Sequence, residues 1–207
     1  MQDPFDRARG CCFTGHRPNA LPDAGNECKP GMRALSELLT RAVERAVSDG
    51  FTEFYAGGAL GFDTLAAEAV LNLRQQDSSI SLHLALPGLD QTEGWSAEQL
   101  QRYEQILAGA SEIWYSAERC SPASMQKRNR YLVDHANRCV AYLRRMKGGT
   151  LYTVNYALDS GVEVDNLAER VFGLPCRIGY PRNVSGLAVV MSAPEYAATV
   201  GMIRYAY

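Results

Sequence analysis

Four short stretches of this 207-residue chain carry residue types suited to holding an anion: Thr14-Gly15-His16-Arg17, Gly57-Gly58-Ala59-Leu60-Gly61-Phe62-Asp63, Arg128-Asn129 and Gly148-Gly149-Thr150. Glycine lets backbone amides crowd together where a strand turns into a helix, and the unpaired N–H groups and helix dipole there attract phosphate. Thr14 and Thr150 add hydroxyls for phosphate or ribose oxygens, with helix capping as their other role. Arg17 and Arg128 supply guanidinium donors that match paired phosphate oxygens, or serve as surface ion pairs. Asn129 has both a donor and an acceptor for a base or a backbone group. Asp63 can accept from two ribose hydroxyls, or stabilise by its charge the helix it opens. For a reaction, the groups available to assist water are Asp63, His16 and Glu68, the histidine because an imidazole titrates near neutrality. No paired-carboxylate, serine-histidine-acid, nucleophile-elbow or Walker lysine pattern accompanies them.

The elements that must position these stretches can be read from periodicity. Gly10–Thr14 is a short buried strand that Pro18 stops, and Met32, Leu35, Leu38, Leu39, Ala42 and Ala46 recur at helical spacing up to Asp49-Gly50. Residues 51–56 form strand two, followed by a helix with Leu65, Ala66, Ala69, Val70 and Leu73 on its apolar face. Strand three spans 80–86, helix three carries Leu100, Tyr103, Leu107 and Ala110, and a short strand four spans 112–115. Helix four is predicted over 124–137 with Asn129 inward and Arg128 at the rim, strand five over 138–143, then a helix after Thr150 and strand six over 162–164. This alternation over residues 10–166 predicts a Rossmann-like, doubly wound α/β fold, with a mostly parallel sheet and helices on both faces. A strand order of 3-2-1-4-5-6 would place the ligand at the switch point between strands 1 and 4.

Composition narrows the setting. With 46% hydrophobic residues, no window near the roughly 20 apolar residues of a membrane span, and a polar start MQDPFDRARG, the chain reads as a cytoplasmic protein away from membranes. The six cysteines show neither a CxxC pair nor a Cys/His metal spacing, so reduced, mostly buried thiols and no metal are expected. A net charge of −2 argues against a general nucleic-acid binder. Yet between Arg119 and Lys147 eight basic residues face only Asp134, a local excess that points to an anionic ligand.

Cys12-Phe-Thr-Gly-His-Arg-Pro18, Gly57-Gly-Ala-Leu-Gly-Phe-Asp-Thr-Leu-Ala-Ala-Glu68, Arg128-Asn-Arg-Tyr131 and Gly148-Gly-Thr-Leu-Tyr-Thr-Val154 together resemble YpsA-like proteins of the SLOG superfamily. That superfamily also holds the cytokinin-activating LOG phosphoribohydrolases and the DNA-processing protein DprA. The resemblance implies a Rossmann-like domain for a nucleotide-derived ligand such as an adenine nucleotide, a dinucleotide or ADP-ribose, with a sensing or binding role. The alternative it implies is a LOG-like hydrolase cleaving an N-glycosidic bond or a phosphate. Against the hydrolase, the LOG-type glutamate after the glycine-threonine turn is missing, since Thr150 is followed by Leu-Tyr-Thr-Val-Asn with no acid before Asp159.

Residues 167–207 stand apart as a strand-helix appendage. They resemble the end of the actin-like cell-division protein FtsA without its ATP-cradling loops. Tyr196, Val200, Ile203 and Tyr207 share a helical face there. So small a piece is expected to pack on the main domain, on a second copy of the chain as a homo-oligomer, or on a protein partner.

Overall fold

The computed structural model describes residues 7–171, and within them strands and helices alternate as their apolar patterns dictate. Strands β1 (Gly10–Gly15), β2 (Glu53–Ala56), β3 (Ser81–Leu86), β4 (Glu112–Tyr115), β5 (Arg138–Tyr142) and β6 (Glu163–Asn166) form a single sheet. Every neighbouring pair is parallel. Helices α1 (Pro30–Ser48), α2 (Phe62–Arg74), α3 (Ala97–Gly109), α4 (Pro122–Asp134), α5 (Gly149–Asp159) and the short α6 (Ala168–Val171) connect and follow the strands. The inner strands are buried on both faces, which is why their sequences read as continuous apolar runs.

The strand order is β4-β3-β2-β1-β5-β6. This differs from 3-2-1-4-5-6, the doubly wound order weighed above: β4 lies at the far edge beside β3, and β5 pairs with β1. The reason is visible in burial. Glu112, Ile113 and Tyr115 are exposed, an edge-strand composition, whereas Cys139, Val140, Ala141 and Tyr142 are fully buried and belong beside β1. Three right-handed steps in one direction put α1, α2 and α3 on one face, and the reversed steps put α4 and α5 on the other. The switch point therefore falls between β1 and β5, where the chain leaves both strands at the same end of the sheet.

Phe13, Phe54, Phe62, Leu35, Leu39, Leu82, Leu84 and Val70 fill the space between the sheet and α1–α3. Each such side chain contributes about 1.5–3 kcal/mol by leaving water. Leu167 and Ala168 join this core. The chain divides into two compact units, Met1–Phe172 and Gly173–Tyr207. The FtsA-like resemblance, with Cys176 and the face from Tyr196 to Tyr207, lies outside the described residues. Among the described residues Cys11, Cys12 and Cys139 are buried free thiols, Cys120 is half-buried and Cys28 is exposed. No helix of the described residues is long and apolar enough to cross a membrane.

Candidate functional site

Three chain exits converge beyond the carboxyl ends of β1, β2 and β5, and α4 crosses behind them. The result is a cleft of about 500 Å³. Its floor is apolar, from Phe13, Ala20, Ala59 and Leu132, and its walls carry Thr14, Gly15, His16, Arg17, Asp63, Arg128, Asn129, Gly148, Gly149 and Thr150. Ten of the thirteen expected binding residues thus meet in one place. Gly57, Gly58 and Gly61 do not line it.

Arg128 is the centre of the arrangement and departs from its expected place at the rim. It is only 8% exposed. Its Nη1 donates to the Gly57 carbonyl at 2.8 Å and lies 3.4 Å from Oδ2 of Asp63, itself 6% exposed. This contact explains Gly57, because a Cβ there would overlap the guanidinium. Burial raises the Asp63 carboxyl above its ordinary range, and Arg128, Arg17 and the Ala59 amide partly offset this. Burial likewise lowers Arg128, with Asp63 opposing. The Nε of Arg128 is buried and has no hydrogen-bond partner, so one donor of a guanidinium in the cleft wall is unused.

The two glycine turns divide their labour unequally. In the first, Gly58 adopts φ 63° and gives its carbonyl to Gln91, and Gly61, at φ 98°, lies against the His16 carbonyl. The amide of Phe62 at the start of α2 bonds that same carbonyl, and Asp63 places a carboxylate in the first turn. The second turn is open. Helix α5 starts after Gly148 at φ 83° with no side-chain cap, and Gly148 and Gly149 are exposed. A Cβ on Gly149 would meet only Asn129 Nδ2, at 3.8 Å, and the start of α5, Gly148 to Thr150, lines the cleft. The hydroxyl of Thr150 donates to the Gly15 carbonyl at 2.9 Å and ties this helix start to β1.

His16 is a brace. Its Nε2 accepts from the amides of Arg144 at 3.1 Å and Arg145 at 3.0 Å, while Nδ1 lies 3.4 Å from Thr150 Oγ1. Two N–H groups converging on Nε2 require a lone pair there, which places the proton on Nδ1. Burial first, then Arg145 and Arg144, lower its pKa. Glu68 is outside the cleft, clamped by Arg102 on α3. The basic segment also disperses. Arg138 pairs with Asp49 and Glu163, Arg130 bonds Tyr152, and Lys127 bonds the Ser116 carbonyl, whereas Arg145 and Lys147 line the cleft. Sequence reasoning missed Asn19, which has no distinctive spacing. It also missed Asn166 on β6, whose amide takes both the N–H and the C=O of Leu143 at the exit of β5.

A wholly parallel sheet reversing its direction at a polar cleft defines a Rossmann-like α/β protein. The sequence places it more narrowly. The YpsA family profile, that of the YspA SLOG family, matches residues 11–164, and the chain belongs to that family. It is similar to the SPbeta prophage-derived protein YoqJ of Bacillus subtilis strain 168, at 34% identity over 62% of this chain and 82% of YoqJ. A UPF0398 protein of Bacillus thuringiensis strain Al Hakam is 28% identical over 74% of this chain and 84% of its own. Among solved structures, DprA of Streptococcus pneumoniae aligns with a TM-score of 0.52 at 18% identity, covering 75% of this chain and 48% of that one. The chain thus spans about half the length of the pneumococcal protein. DprA of Helicobacter pylori, whose structure concerns a single-stranded DNA binding mode, aligns with a TM-score of 0.53 at 13% identity, over 98% and 83%. At these identities the two DprA structures speak for the fold.

Proposed function

We propose that the cleft binds a nucleotide derivative, an adenine nucleotide, a dinucleotide or ADP-ribose, and that the protein senses or carries this ligand. The observation that carries the reading is the open start of α5 facing a buried Arg128 whose Nε has no partner. A phosphate there would meet amide donors, a helix dipole and a guanidinium at once. Exposed Arg17, Arg145 and Lys147 ring the opening and would draw an anion in. The apolar floor of Phe13, Ala59 and Leu132, with Asn129 beside it, suits a sugar or base.

A hydrolase is the second reading, and one observation favours it: the raised pKa of Asp63 is the property a proton-transferring carboxyl needs. Against it, His16 has both nitrogens engaged and Glu68 is held outside the cleft. Calorimetric titration with AMP, ADP, ADP-ribose, NAD and a single-stranded oligonucleotide tests the proposal. The oligonucleotide is included because a fold neighbour binds single-stranded DNA. Saturable heats with a nucleotide derivative are expected, and flat titrations across the panel reject the reading. Product release that disappears in Asp63→Asn would move the assignment to the hydrolase.

A further inference from the structure

The segment that closes the basic side of the cleft is held by hydrogen bonds of two kinds. At Leu143 the side chain of Asn166 acts as a substitute strand, with Oδ1 accepting from the Leu143 amide at 2.9 Å and Nδ2 donating to its carbonyl at 3.1 Å. One residue later the anchor becomes an imidazole, and both the Arg144 and Arg145 amides end on Nε2 of His16. An amide side chain does not titrate, but an imidazole does. The two anchors therefore respond differently to acid.

We propose that His16 is a positioning residue that holds the Arg144–Lys147 segment over the cleft only while its ring is neutral, so that protonation frees the segment and weakens anion capture. A proton added at Nε2 turns the acceptor into a donor facing two other donors, and both hydrogen bonds are lost together. Burial and neighbouring positive charge oppose the resulting cation. From the segment it holds, Arg145 and Arg144 act on it, and Arg17 of its own segment lines the same cleft. Tyr142 of β5 stands edge-on to the ring with centroids 6.1 Å apart, and Thr150 of α5 is the partner of Nδ1. Across the cleft, Asp63 of α2 is the sole carboxylate in its lining among the described residues, and it is engaged by Arg128 of α4. The direction of the His16 shift agrees with this geometry.

The anchor can be tested without a ligand, which separates it from the functional reading. In the full chain, amide hydrogen exchange is followed from pH 7.5 to pH 5 after correction for intrinsic rates, alongside nitrogen NMR of the His16 ring. The Arg144 and Arg145 amides are expected to lose about tenfold protection, with the midpoint of the His16 titration, while the Leu143 amide keeps its protection. In His16→Gln, whose side-chain oxygen can accept an amide without titrating, the pH dependence should vanish. Protection at Arg144 and Arg145 that ignores the His16 titration, or a midpoint unchanged in His16→Gln, overturns the proposal. The capture step, which rests on the anion-binding reading, is probed with inorganic sulfate, whose charge is constant over this range. Affinity should fall as His16 protonates in the native protein and stay level in His16→Gln. Sulfate affinity that is equally pH-dependent in both proteins overturns the gating. Failure of sulfate and every nucleotide to bind at pH 7.5 rejects the functional reading, and with it the capture step, whereas the exchange result still decides the anchor.

Discussion

Placing a carboxylate at the start of α5 separates the helix from the ligand it is proposed to hold. In Gly149→Asp the backbone needs no adjustment, because Gly149 does not adopt positive φ and its Cβ would meet Asn129 Nδ2 at an ordinary 3.8 Å. A negative charge in the first turn interacts favourably with the helix dipole, worth about 0.3–1 kcal/mol. The folded protein should therefore be as stable as the parent or slightly more so. For an anionic ligand the same charge is a competitor about 4 Å away. Like charges at that distance cost about 1 kcal/mol in water and about 4 kcal/mol at an effective dielectric constant near 20. The expected loss of affinity is roughly one to three decades. Gly149→Asn, of nearly the same shape and without the charge, should lose much less. The assay is calorimetric titration with ADP at fixed ionic strength, paired with thermal unfolding of each variant. Equal affinity in Gly149→Asp and Gly149→Asn would refute the placement of the anion at α5. A fall in stability of more than about 1 kcal/mol in Gly149→Asp would refute the open helix start itself.

Gly57→Ala should lower unfolding free energy by about 3 kcal/mol, measured in urea, because its Cβ overlaps Arg128 and breaks that residue's bonds to Gly57 and Asp63. Asp63→Asn removes the partner of a buried guanidinium and should cost about 2–4 kcal/mol by the same measurement; a change below about 0.5 kcal/mol would show that the pair is not formed. For His16 the folded pKa lies below the unfolded one, so the unfolded chain takes the proton first. Stability should decline as pH falls through about 6.5 and level off below the folded pKa. Subtracting the profile of His16→Gln isolates this term, and a difference that rises toward acid contradicts the shift.

The alternation of elements was legible because each strand and helix buries enough of its own residues to impose a period, as in α1, where Met32, Leu35, Leu39, Ala42, Val43 and Ala46 are buried. Strand order was not, because it depends on which strands tolerate an edge. The exposure of Ile113 and Tyr115 that settles the place of β4 is a property of the neighbours it lacks. The same division runs through the cleft. Residue type drew attention to Thr14, Arg17, Arg128, Asn129 and the α5 turn, and these line one cleft because chain exits at one end of a parallel sheet must meet. What each does was hidden wherever the partner is distant in sequence. Gly57 is a glycine because of Arg128, 71 residues away, and His16 serves backbone amides 128 and 129 residues away. In the first glycine turn Gly57 makes room for Arg128 and Gly61 for the His16 carbonyl. The loop read from its own sequence as a phosphate cradle takes a guanidinium of its own chain, that of Arg128, at the Gly57 carbonyl.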